Sequence, residues 1–125
     1  MKNRWILSRQ ASAVFLAAVL LAVLGLSLNP RPETVLGPLT AYDKAGHFAA
    51  YTVLAFFALR VFPRRGLREL VLVVGACAAL GGAIEIIQPY VGRHKDIFDF
   101  LVDLGGALAG AVVSFFVLAR RTSHN

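Results

Sequence analysis

Four apolar stretches, spanning about 11–28, 45–62, 70–88 and 97–119, alternate with short polar connections along the chain. At about 1.5 Å of rise per residue each is a helix long enough to approach or exceed the ~30 Å hydrocarbon core of a bilayer. The first connection, Asn29 to Tyr42, holds Pro30, Pro32, Gly37 and Pro38, which disfavour helix and mark a loop. Pro63-Arg64-Arg65-Gly66 reads as a tight basic turn, and Pro89 stops the third stretch before the polar turn Tyr90 to Lys95. The pattern predicts an all-α membrane protein, with four transmembrane helices packed as one small bundle over residues 1–125. A basic Met1–Gln10 segment ahead of an apolar run also fits a signal peptide. Against that, Ala11–Leu28 is long for a signal core, and Leu24-Gly25-Leu26-Ser27 is a poor cleavage site. The expectation is a retained first helix.

Composition strengthens this picture. Of 125 residues, 58% are hydrophobic and only 16% charged, more apolar surface than a soluble domain of this size can hide. The net charge of +6 invites a nucleic-acid reading, but the basic residues cluster at the ends of apolar runs, where they record membrane topology. No nucleic-acid partner is expected. Lys2, Arg4, Arg9, Arg60, Arg64, Arg65, Arg68, Arg120 and Arg121 fall on one side, against Arg31, Lys44, Arg93 and Lys95 on the other. That asymmetry predicts both termini in the cytoplasm and the first and third loops outside. Cys77 is the only cysteine, which excludes an intramolecular disulfide and any zinc-type cysteine spacing; it reads as a small core residue.

Ionisable residues inside such a chain call for a specific explanation. Asp43 and His47 are four apart and share a helical face. Asp96, Asp99 and Asp103 form a stripe that continues through Gly106 and Gly110, while Gly75, Ala78, Gly82 and Glu85 form a similar stripe on the third stretch. Small residues let helix backbones approach closely. Packing the two stripes together would turn Glu85, Asp99 and Asp103 inward, where Asp43 and His47 could join them. Asp103 would lie roughly 10 Å below the start of its helix, in a polar pocket open to the outside. Gln88, one turn after Glu85, is placed either to orient that carboxylate or to face the head groups. Tyr42, Tyr51 and Tyr90 fit an aromatic belt at the outer boundary.

Four readings compete for this constellation. Lys44, His47 and Arg93 could neutralise the carboxylates and hold the bundle in register. One imidazole among carboxylates also suits a divalent metal, although the spacing matches no dedicated metal motif. A third reading has Arg93, His94 and Lys95 grip an anionic head group while a carboxylate acts as general base. The fourth is a proton or ion pathway, for which so small a unit would need to oligomerise.

Asp43-Lys44-x-x-His47-Phe48 with Tyr51 and Leu54, then Glu85-Ile86-Ile87-Gln88, Gly92-Arg93, Asp99 and Gly105-Gly106 followed by Gly110, resemble the VanZ-like family. The resemblance covers about residues 42–110 and consists of three motifs in order, each at the outer end of a stretch. It implies a helical membrane protein of the bacterial cytoplasmic membrane. The family's founding member is associated with low-level resistance to the glycopeptide teicoplanin, so the resemblance brings antibiotic resistance into view. It implies no catalytic assignment. Asp103 departs from the family's pattern, in which Asn is common at this position. The expected function is binding, with a chemical step left open, of an amphiphilic, lipid-linked or anionic envelope molecule. Lys44, Gln88, Arg93 and Asp103 are the binding candidates; Asp43, His47, Glu85 and Asp99 are the acid–base or metal-ligating ones. The rival from another class is a non-enzymatic membrane module that packs against partners or conducts protons.

Overall fold

The computed structural model describes residues 9–31, 34, 37–38, 43–64, 66–93 and 97–122. These form four helices, α1 (Arg9–Ser27), α2 (Asp43–Val61), α3 (Leu67–Ile87) and α4 (Ile97–Thr122), with a 3-10 turn at Gln88–Val91. There is no strand among the described residues. The helix limits follow local chemistry. Gly66 opens α3, and its N–H donates to Glu69 Oε2 at 3.0 Å, satisfying one amide that the helix start leaves without a partner. At the other end Pro89 diverts α3 into the 3-10 turn, which closes on Gly92 at φ +81°. A side chain at that left-handed position would be strained, and glycine is not.

Three of the helical segments, Arg9–Ser27, Leu67–Val91 and Ile97–Val117, are long and apolar enough to cross a membrane. The chain is therefore a membrane protein. α2 has a comparable length of 19 residues, but Asp43, Lys44, His47 and Arg60 interrupt its apolar run. Those groups are tolerable because α2 touches all three other helices. It contributes Tyr51, Leu54, Ala55 and Leu59 to the core, joined by Val23, Val73, Cys77, Ile84, Ala107 and Ala111. Val14, Leu21, Leu72, Leu101 and Phe116 point outward. Exposed apolar side chains are what a lipid-facing surface requires.

Side-chain contacts fix how the helices run. Arg9 Nε donates to the Val61 carbonyl at 2.9 Å, placing the start of α1 beside the end of α2. The stacked rings of Phe15 and Phe57, 5.4 Å between centroids, continue that antiparallel pair. α2 and α4 instead run parallel: Lys44 meets Asp99, His47 meets Asp103, and Ser114 Oγ donates to the Phe56 carbonyl at 3.1 Å. Between those contacts the backbones nearly touch. A Cβ at Gly106 would lie 2.5 Å from the Phe48 carbonyl oxygen, and one at Gly110 would overlap the Thr52 carbonyl. The α4 stripe of acidic and small residues is thus real, but its principal partner is α2, not α3.

The stripe expected on α3 is a correction. Gly75 is exposed, with nothing within 4 Å of a Cβ built there. The buried line is Val73, Cys77, Gly81, Ile84 and Glu85, on the neighbouring side of the helix. Gly81 is the small residue that brings this line against Asp103 and Tyr51.

Candidate functional site

The ends of α1 and α3 and the starts of α2 and α4 meet at one end of the bundle, and most of the candidate residues gather there. The outermost pair is Lys44 with Asp99, Nζ to Oδ1 at 3.0 Å. The Lys44 side chain is 53% exposed and that of Asp99 only 8%, so one partner remains wet. One turn deeper, His47 lies between two carboxylates of α4. Its Nδ1 is 2.8 Å from Asp103 Oδ1, and its Nε2 is 4.0 Å from Asp99 Oδ2. Asp99 and Asp103 are four apart, so a single helical face presents both to the ring.

Tyr51 lies one turn below His47, at 1% exposure, and its ionisable neighbours are Asp103, Cys77 and Glu85. A Cβ at Gly81 would sit 3.3 Å from Asp103 Oδ2 and 3.6 Å from the Tyr51 hydroxyl. Glycine at this position therefore lets α3 close over both groups. Glu85, one turn further along α3, is also buried. The result is a graded column, with an accessible ammonium at the top, an Asp–His–Asp group beneath it and Tyr51 at the floor, while the buried Glu85 stands on α3 one turn nearer the top than Gly81.

Gln88 and Arg93 do something different. Gln88 Nε2 donates to the Ser27 carbonyl at 3.2 Å. Arg93 Nη1 donates to the carbonyls of Leu26 and Asn29, each at 3.0 Å. Both side chains satisfy carbonyls at the C-terminus of α1, which the helix itself leaves without donors. A guanidinium there also complements the negative end of the helix dipole. Among the described residues the partners of Arg93 are these carbonyls, and its guanidinium places a positive charge at the same end. Gln88 Oε1 is buried without a hydrogen-bond partner among the described residues.

The sequence reading placed Asp43 and His47 on one helical face; the described partners of His47 are Asp103 and Asp99. Asp43 is the first residue of α2, but its side chain lies outside the described set, as do Tyr42, His94, Lys95 and Asp96. Tyr51 is a correction, since it is buried inside the cluster and does not stand in an outer aromatic belt. Its spacing of four from His47 was the available signal. Tyr90, at 86% exposure, is placed to meet a membrane boundary. Among the described residues no group of three His, Cys, Asp or Glu side chains is arranged to hold a metal ion.

Chemically, the column can hold an anion at its top and move a proton beneath it. Lys44 is half exposed, so an incoming anion can reach its ammonium. Drawing it off the buried Asp99 would leave that carboxylate short of its counter-ion, and the anion must compensate for that loss. The buried hydrogen bond to His47, about 1.5–3 kcal/mol for a charged partner, holds the ring in place.

No curated protein and no solved structure matches the chain. The sequence pattern of the family described as VanZ/LLP1 matches residues 8–118, from the threshold of α1 through the buried stripe of α4. That span includes every residue of the column, and with nearly the whole length matched, the chain belongs to the VanZ/LLP1 family.

Proposed function

We propose that this protein is a multi-pass protein of the bacterial cytoplasmic membrane, with a single transmembrane domain, that binds the anionic head group of an amphiphilic envelope molecule. In this reading α2 crosses the membrane with the other three helices, shielded by them, and both termini are cytoplasmic. The distribution of Lys and Arg, nine on the side of the termini and four on the other, supports that orientation. The column then opens outward. Lys44 receives the head group, helped by the positive charge of Arg93, while His47 with Asp103, Asp99 and Glu85 exchanges protons with the bound molecule. Altered handling of such a molecule is the route by which the protein would influence glycopeptide susceptibility. The observation that carries the reading is the half-exposed Lys44 ammonium directly above a buried Asp–His–Asp group.

A second reading has one observation in its favour. Gln88 and Arg93 are engaged with α1 carbonyls, as a purely structural polar network requires. There the charges only hold the helices in register, and the protein is a non-enzymatic packing module. One titration separates the two. Purified protein in phosphatidylcholine nanodiscs is titrated with a polyprenyl phosphate, alongside Lys44→Ala and a Gly75→Ala control. The binding reading expects saturable binding that Lys44→Ala weakens at least tenfold and Gly75→Ala leaves alone. Equal binding by all three, or none above empty nanodiscs, would give the structural reading the field.

A further inference from the structure

The contact between His47 and Asp103 has a consequence for how the ring works. Nδ1 and Oδ1 are 2.8 Å apart, and each carries a lone pair when unprotonated. Two facing lone pairs at that separation repel, so a proton must lie between them, on one atom or the other. The inner nitrogen is therefore occupied whichever atom holds this proton. When the pair takes up a second proton at the ring, only Nε2 can receive it.

We infer that Asp103 is a positioning residue that makes Nε2 the nitrogen through which His47 accepts and gives up its proton. A carboxylate on Nδ1–H is the usual device for fixing an imidazole tautomer and ring orientation. Here the surroundings reinforce it. Asp99 Oδ2 stands 4.0 Å from Nε2, too far for a direct hydrogen bond. Lys44 and Tyr51 stand one turn to either side of the ring on α2, Asp99 and Asp103 face it from α4, and Cys77 and Glu85 of α3 are neighbours of Tyr51 below it. Gly81 leaves room for the second oxygen of Asp103, which a Cβ at that position would crowd at 3.3 Å. Asn would behave differently at this position. Its amide can donate to an unprotonated Nδ1, which moves the ring proton to Nε2.

The inference rests on the head-group reading for its purpose, since an outward Nε2 is what a bound molecule would use. Its test is independent of any ligand. The protein is labelled with 15N-histidine in nanodiscs, and the His47 ring is assigned by comparison with His47→Gln. The neutral ring should carry its proton on Nδ1, with Nε2 the nitrogen that titrates. Asp103→Asn should shift the neutral ring toward the Nε2–H form while the fold, followed by circular dichroism, persists. A wild-type ring in which Nδ1 is the nitrogen that titrates overturns the inference, even if Asp103→Asn does not fold. So does a ring that stays doubly protonated wherever the protein is folded, or an unchanged tautomer in Asp103→Asn. A correct tautomer without polyprenyl phosphate binding would instead sink the head-group reading and leave the positioning role standing.

Discussion

Gly110→Ala should damage this protein far more than Gly75→Ala, although each adds one methyl to a transmembrane helix. The difference lies in what the methyl meets. At Gly110 it would overlap the carbonyl oxygen of Thr52, with the carbonyl carbon 2.8 Å away. Backbone cannot rotate aside as a side chain can, so α2 and α4 must separate by about 1 Å or more to restore van der Waals contact. Overpacking of this kind costs about 1–3 kcal/mol. The same shift stretches the Ser114–Phe56 hydrogen bond, and interhelical bonds of that type average about 0.6 kcal/mol. Better helix propensity of Ala over Gly returns about 1 kcal/mol. The net expectation for Gly110→Ala is a loss of about 0.6–2.6 kcal/mol, with Gly106→Ala somewhat milder. Gly75→Ala meets no atom within 4 Å and should be neutral or gain up to about 1 kcal/mol. Reversible unfolding from mild detergent into SDS, followed by circular dichroism, measures all three. If Gly110→Ala unfolds within about 0.5 kcal/mol of Gly75→Ala, well below the loss expected from overpacking, the close α2–α4 contact is wrong.

Other substitutions probe separate parts of the structure. Arg93→Ala removes both bonds to the α1 terminus and should lower stability by about 2 kcal/mol in the same unfolding assay; no loss would refute its anchoring role. Ser114→Ala should lose only about 0.5–1 kcal/mol and leave polyprenyl phosphate binding unchanged, because the site lies at the far end of the α4 stripe. A change in binding would contradict that separation. In a Cys77→Ala background, Tyr90→Cys should be labelled in intact cells by a membrane-impermeant thiol reagent and Arg64→Cys should not. The reverse pattern would invert the orientation and close the site to the outside.

Much of this fold was legible because its elements announce themselves chemically. Apolar runs bounded by prolines and arginines predicted each helix to within three residues of where it starts and ends. The stripe from Asp99 through Gly110 was equally visible, since acidic and small residues recurring at helical spacing in an apolar segment mark a face turned away from lipid. What spacing could not reveal is which neighbour a stripe faces. α4 had two candidate partners, and the close approach went to α2, whose Lys44 and His47 complement its carboxylates. The α3 face was misread for a related reason. Gly75 is exposed, but Ala78 and Gly82 are half-buried and Gly82 lies beside Phe100 of α4, so the expected stripe runs along the margin of the buried line. Arg93 shows a further limit. Its carbonyl partners are more than 60 positions away in sequence, and helix-end carbonyls carry no signature in the residue code.

The head-group reading is tested most directly by an experimental structure of the protein in nanodiscs with a polyprenyl phosphate bound. The expected result is a phosphate oxygen within hydrogen-bond distance of Lys44 Nζ, with His47 still held by Asp103 and Nε2 turned toward the ligand. A phosphate seated elsewhere, with Lys44 remaining on Asp99 as in the free protein, would contradict it.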